Sequence, residues 1–204
     1  MKKLFTLLFV LGMVSLHAQT YFSEDFESGA LPMGWTNTSD ATDGGWIVGT
    51  PAQHSSTYFT VQNNGSSYIV VTNDDQCNCN KANEILATPA IDLMDAVAPF
   101  LNFDSFYGEG TFQGATESVR VVASVDGGTT WDDVAPVNGS NTGWTGNTVD
   151  IIAYAGQPSV QFAWIYDDGG GWLFGYMMDN IVIQEAPQLD PDLRALTMRT
   201  GGLT

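Results

Sequence analysis

The side chains with most chemistry to offer in this chain are oxygen donors, and they come in two groupings. Asp179-Asn180 places an acid and an amide inside an otherwise apolar run, Phe174 to Ile183. Asn73 to Glu84 packs Asn73, Asp74, Asp75, Asn83 and Glu84 into one short segment, with further amides between them. Carboxylates and amide carbonyls at that density are the ligands of a hard cation, and calcium takes about six to eight of them. The second segment does not follow the EF-hand template. Counted from Asp74, the sixth position is Cys79 where the turn needs glycine, and the twelfth is Ile85 where a bidentate Glu belongs. Counted from Asn73, Glu84 falls twelfth but Cys77 falls fifth and Asn78 sixth. The segment stays open between a cation loop and a hydrophilic loop folded by Asx turns.

Other chemistries find little to work with. His17 precedes the expected cleavage point of a leader, which leaves His54 as the histidine of the mature chain. A Ser-His-Asp system needs a nucleophile and an acid around its histidine. Gln53-His54-Ser55-Ser56 shows no nucleophile elbow, and a solvated loop histidine is expected. Carboxylates for glycoside hydrolysis are plentiful, but abundance is not pairing. The two cysteines, Cys77 and Cys79, lie one residue apart and form no zinc pattern. Ser124-Val125-Asp126-Gly127-Gly128-Thr129-Thr130-Trp131 fits the Asp-box hairpin of sialidase propellers, in which the Asp satisfies turn amides and the Trp packs beneath. One copy, with three arginines in the mature chain, predicts a structural turn rather than a sialidase.

The elements that must position these residues are strands. Val160, Phe162, Trp164 and Tyr166 alternate, as half-buried strand residues do. Alternation resumes at Phe174, Tyr176 and Met178, then slips phase to Ile181 and Ile183. Such a slip needs a bulge, which falls on Asp179-Asn180. Thr20–Glu27 is expected to be a first strand, with Asp25 and Glu27 sharing a face. Further strands are expected at 46–48, 57–61, 67–73, 85–87, 100–107, 119–125 and 149–153, the second and third joined by an Asn-Gly hairpin turn. Tyr68 to Val71 is apolar on both faces, as a central strand would be. No amphipathic helix of length is present, so an all-β sandwich or barrel is expected.

Residues 1–18 read as a secretory signal peptide: Met1-Lys2-Lys3, an apolar run from Leu4 to Leu16, then a small-residue cleavage point. Residues 19–185 form one domain, and 186–204 a linker with the start of a following segment. Without the leader, four basic residues face 23 acidic ones, a net charge of −19. Nucleic acid requires a basic footprint and is excluded as a partner. Cations are compatible partners. No later stretch matches a membrane-spanning helix.

The order of several short motifs carries a resemblance. Glu24-Asp25-Phe26-Glu27, Gly34-Trp35, Gly45-Trp46, Leu86 to Leu93, Phe100-Leu101-Asn102-Phe103, Ser124 to Trp131 and Met178-Asp179-Asn180-Ile181 follow one another along the domain. Together they resemble the cleaved-adhesin family of bacterial surface proteases and adhesins, and more distantly the MAM domains of animal receptors. The resemblance implies a jelly-roll β-sandwich of two antiparallel sheets and a non-catalytic role in binding extracellular protein or glycan. It also implies calcium held where the first and last strands meet. By position the calcium ligands would be Asp25, Glu27, Asp40, Asp43 and Asp179. The spaced cysteines of MAM domains are missing, and so is the C-terminal sorting domain common among bacterial relatives, which makes a longer parent protein the expectation. A carbohydrate-binding module accessory to a secreted hydrolase is the alternative. In that case the loop aromatics Tyr107, Trp144 and Trp172 would stack on sugar faces.

Overall fold

The structure, a computed structural model, describes residues 18–77, 79–108, 110–140 and 143–186. The expected leader up to residue 17 and the tail beyond 186 lie outside the described residues. Among the described residues the strands follow in order: β1 (Thr20–Glu24), β2 (Thr36–Thr38), β3 (Ile47–Gly49), β4 (Ile69–Asn73), β5 (Glu84–Ala87), β6 (Pro99–Phe106), β7 (Thr111–Phe112), β8 (Ala115–Thr116), β9 (Ser118–Ser124), β10 (Asp132–Val137), β11 (Thr145–Asp150), β12 (Gln161–Asp167) and β13 (Gly175–Glu185). One helical turn, α1 (Pro51–His54), is capped by Thr50, with Pro51 at its first position.

The strands form a jelly-roll sandwich. One sheet runs β11-β6-β13-β4-β3, with β1 also on β13; the other runs β10-β9-β12-β5-β2; β7 and β8 make a small separate hairpin. Every pairing is antiparallel. Between the sheets lie Leu101 and Phe103 of β6, Val121 of β9, Phe162, Trp164 and Tyr166 of β12, and Tyr176, Met178, Ile181 and Ile183 of β13. These are the alternating residues of the sequence pattern, so period-2 hydrophobicity has written the inner faces directly.

Three expected strands change character. The segment 57–61 is not a strand, and no hairpin joins it to β4. Phe59 and Val61 instead press onto the outer face of the first sheet, against Ile69, Val71 and Met177. Their alternation therefore records burial of every second side chain without a ladder. This cover also explains β4, buried on both faces. The strand expected at 149–153 ends at Asp150 and gives way to a 3-10 turn, Ile152–Tyr154. β1 ends at Glu24, because the chain turns at Phe26 with φ of 54°. Glu24 and Asp25 each accept a backbone N–H two residues on, so Asp25 and Glu27 stand on a turn. The Asp-box segment is the expected turn. Asp126 accepts from the Thr129 and Thr130 amides and from the Ser124 and Thr130 hydroxyls. These bonds, that of the Thr130 amide foremost, hold its carboxyl down at about 2.

Candidate functional site

The bulge expected from the phase slip is present. Across β6, Asp179 pairs with Asp104 but Val182 pairs with Asn102, so β13 carries an extra residue there. Asn180 has φ of 53°, the left-handed value that lets the strand kink. The bulge also marks a change of neighbour on the other edge of β13: β4 pairs with residues 175–178, and β1 with residues 181–184. Asp179 thus stands where two strands abut along one edge. Its side chain is fully buried. Oδ2 accepts from the Asn64 amide at 2.6 Å, Oδ1 accepts its neighbour's backbone N–H at 2.9 Å, and the Ser66 hydroxyl adds a bond. Burial pushes its carboxyl up, and the nearby charge of Glu27 pushes the same way.

Glu27 reaches this place from the turn after β1, where its Oε1 accepts the Ser67 and Tyr68 amides at 2.7 and 3.3 Å. Asp25 is exposed and lines a groove of about 310 Å³ with Ser23, Glu24, Asn180, Ile181 and Val182. Asp25, Glu27 and Asp179 therefore share one neighbourhood, with Glu27 the acid that Asp179 feels. Their carboxylates do not close into a trio within 4.8 Å. Among the described residues the one such grouping of three is Asp43, Cys77 and Cys79. Those cysteines are joined in a disulfide, so their sulfurs are not free to ligate.

Asp43 is taken up by another partner, and Asp40 has no described contact with Asp179. Asp40 is exposed, and Asp43 pairs with Lys81 at 2.8 Å. The segment Asn73–Glu84 likewise sends its oxygens to separate partners. Asn73 bonds the His54 carbonyl and the Gln76 amide. Asp74 accepts the Leu173 amide, and Asp75 the Tyr58 amide at 2.7 Å. Glu84 accepts the Ser39 hydroxyl at 2.8 Å, and Asn83 takes a left-handed turn position with φ of 57°. The cation at this end is Lys81, whose ammonium is wholly buried. Its backbone N–H donates to Asp168, and its charge acts on both Asp74 and Glu84. Sequence reasoning missed Lys81, although it is the lone lysine after the leader and stands inside the acid-rich run.

Burial dominates the titration of this cluster. It drives Asp74 up to about 7 against the Leu173 hydrogen bond, with the Asp168 charge adding to it. Glu84 and Glu117 are also raised by burial. One oxygen each of Asp74 and Glu84 has no hydrogen-bond partner.

The remaining candidates separate cleanly. Tyr107 is not a loop ligand: it is buried, and its hydroxyl donates to the Val137 carbonyl at 2.7 Å. Its place in the Leu101-Phe103 alternation already pointed inward. Trp144 is half-buried against the outer cover and donates its indole N–H to the Gln62 carbonyl at 3.0 Å. Trp172 is exposed. His54 is buried rather than solvated, and burial lowers its affinity for a proton.

Sheet order, bulge and core define a jelly-roll β-sandwich of the kind seen in adhesin and carbohydrate-binding modules. The K1 and K3 cleaved adhesin domains of Lys-gingipain from Porphyromonas gingivalis W83 superpose with TM-scores of 0.59 and 0.60, at 19% and 18% identity. The two matches cover 82% and 83% of this chain and 99% and 100% of those domains. The chain thus has the cleaved-adhesin fold that its motifs resemble. The CBM22-1 xylan-binding domain of Paenibacillus barcinonensis Xyn10C follows with TM-score 0.52 and 16% identity, over 85% of this chain and 99% of that one. In sequence, Bacillopeptidase F of Bacillus subtilis (strain 168) is 26% identical over 165 residues, 80% of this chain but 11% of the peptidase. No family model matches.

Proposed function

We propose that this domain is a calcium-stabilised, non-catalytic binding module of an exported protein, recognising extracellular protein or glycan within a larger surface or secreted assembly. The observation that carries the calcium reading is a charge imbalance at the bulge. Asp179 is buried beside Glu27, and its hydrogen-bond partners are neutral groups. The two cations of the described residues, Lys81 and Arg120, are paired to Asp43 and Asp133. A buried carboxylate with a second acid at hand and no described cation beside it is a setting whose charge a hard divalent ion would relieve, with the carboxylate oxygens as its ligands. Asp179 and Glu27 would hold the ion, with Asp25 at the rim. Bound calcium would supply the missing positive charge and fasten the β1 turn to the β13 bulge.

Calorimetry of the apo protein with and without calcium tests this. The expected result is a higher melting temperature in calcium, reversed by EDTA; an unchanged melting point with no bound metal refutes it. No helix among the described residues is long and apolar enough to cross a membrane. The second reading, a carbohydrate-binding module accessory to a secreted hydrolase or peptidase, is favoured by the exposed Trp172 and by the likeness to a domain described as xylan-binding. A glycan array that stays blank removes this second reading and leaves protein adhesion.

A further inference from the structure

An exposed aromatic recess shares no residue with the calcium reading at the bulge. Tyr58, Phe112 and Trp172 are 69%, 45% and 45% exposed, unusual for large apolar side chains. With Asp75, Leu173 and Phe174 they line one recess of about 340 Å³. The Tyr58 and Trp172 rings stand 6.5 Å apart at 84°, two walls meeting at a right angle.

Both walls are held before any ligand arrives. The Tyr58 backbone N–H donates to Asp75 Oδ2 at 2.7 Å, which fixes the loop and brings a carboxylate to the recess. Trp172 is flanked by Leu173, whose N–H donates to the buried Asp74. The glycine turn before it lies hard against the hairpin that carries Phe112. A Cβ on Gly169 would sit 2.5 Å from the Thr116 carbonyl oxygen, and one on Gly171 would sit 2.3 Å from the Ala115 Cβ.

The charge of this recess decides what fits it. Aromatic faces are negative, and a cation over such a face is attracted by the ring quadrupole. Asp75 adds a carboxylate with one oxygen still open to a donor, and both cations of the described residues are engaged elsewhere. The chain as a whole carries −17, which draws positive partners toward it. An acidic ligand is disfavoured on every count. A sugar ring laid flat on one wall would meet the other edge-on, because the rings share no plane. We propose that the recess receives a lysine or arginine side chain of a protein partner. A guanidinium fits best, since it stacks on an aromatic face while donating to a carboxylate. This rests on the binding-module reading and specifies the partner's chemistry.

The test is an NMR titration of the protein, followed at the Tyr58 and Leu173 amides. The probes are a capped Gly/Ser peptide bearing one arginine, its citrulline counterpart, and xylohexaose. The arginine peptide is expected to shift both amides, with the citrulline peptide at least about tenfold weaker. Trp172→Ala leaves the net charge unaltered and is expected to weaken arginine binding by at least about fivefold. Asp75→Asn keeps an acceptor for the Tyr58 N–H and is expected to weaken binding and flatten its salt dependence. Tyr58→Ala serves as a second wall variant should Trp172→Ala lower the melting temperature. Equal arginine binding by wild type and wall variants would mean diffuse charge attraction and overturn the proposal. Shifts from xylohexaose without shifts from the arginine peptide would overturn it too, while leaving the domain a binding module. The absence of any shift from all three probes likewise ends it, and the calcium reading stands or falls separately by calorimetry.

Discussion

Asp74→Asn should make the protein more stable at alkaline pH and remove part of its pH dependence. Asp74 is wholly buried at the end of β4. One carboxylate oxygen accepts the Leu173 N–H and the other has no partner. Burial, with the Asp168 and Glu117 charges adding, lifts its pKa to about 7 although Lys81 opposes. The unfolded chain titrates this group near 3.8. A folded pKa above the unfolded one means that the folded state holds the proton longer. The stabilisation is complete below the unfolded value and is lost as pH rises through the folded value. Each pH unit across that window removes about 1.4 kcal/mol, so between pH 4 and pH 8 this one group accounts for roughly 2–4 kcal/mol. Asparagine still offers an oxygen to the Leu173 N–H and introduces no charge, so it lacks this pH dependence. Urea unfolding followed by tryptophan fluorescence, at half-unit steps from pH 4.5 to 8.5 in excess EDTA, reads the difference. The variant should match wild type within about 1 kcal/mol near pH 4.5 and exceed it by about 2 kcal/mol or more at pH 8. Parallel stability curves for the two proteins would refute the reasoning, because Glu84 and Glu117 contribute equally to both.

Three further outcomes follow from the same contacts. Asp179→Asn should abolish the calcium-dependent rise in melting temperature. In wild type, free calcium at about one hundred times its dissociation constant corresponds to about 2.7 kcal/mol, or about 5–10 °C for a domain of this size; a variant that keeps the rise refutes the assignment. Lys81→Met removes the counter-ion of Asp43 and leaves buried acids facing one another, so it should cost about 3–5 kcal/mol at pH 8 and less at pH 5, measured by urea midpoint. Glu185 accepts the Val97 and Ala98 amides and the Tyr21 hydroxyl; burial alone would raise its pKa, yet these bonds hold it low. Glu185→Gln should therefore cost about 1–3 kcal/mol at neutral pH and little once the pH falls below the folded pKa of Glu185.

The inner faces of the sheets were legible because alternation maps onto burial when each strand has one face in the core. Val119, Val121 and Ala123 of β9 show this, and so does the phase slip at Asp179. Alternation carries no information about hydrogen bonding, which is why 57–61 resembled a strand: Phe59 and Val61 point down onto a sheet they do not join. The Asp-box turn was legible because its side chains bond locally, within four residues of Ser124 or Asp126. The site was less legible. Asn64 and Ser66 reach Asp179 across more than a hundred residues, and no local spacing encodes that contact. Tyr58 escaped notice for the same reason, since its partner Trp172 is brought beside it only by the fold.

The two acid clusters show how a chain with so few basic residues tolerates buried carboxylates. Where β4 ends, Lys81 is withdrawn entirely from solvent to face Asp43, with Asp74, Glu84 and Asp168 around it. That cluster neutralises itself in part and disposes of the rest by holding a proton, so its stability should follow pH. At the β13 bulge no described lysine or arginine is in reach, because Lys81 and Arg120 are already paired. Glu27 is exposed and screened by water, whereas the buried Asp179 is left to its hydrogen bonds, to a proton or to an ion from outside, and on the proposed reading that ion is calcium. The two clusters should therefore separate experimentally. Chelation should loosen the β1 turn and the bulge while sparing the Lys81 cluster, and acidification should strengthen the Lys81 cluster without calcium. Amide hydrogen exchange at Ile181–Ile183 against exchange at Thr72–Asp74 measures that division, and equal loss of protection at both on adding EDTA would contradict it.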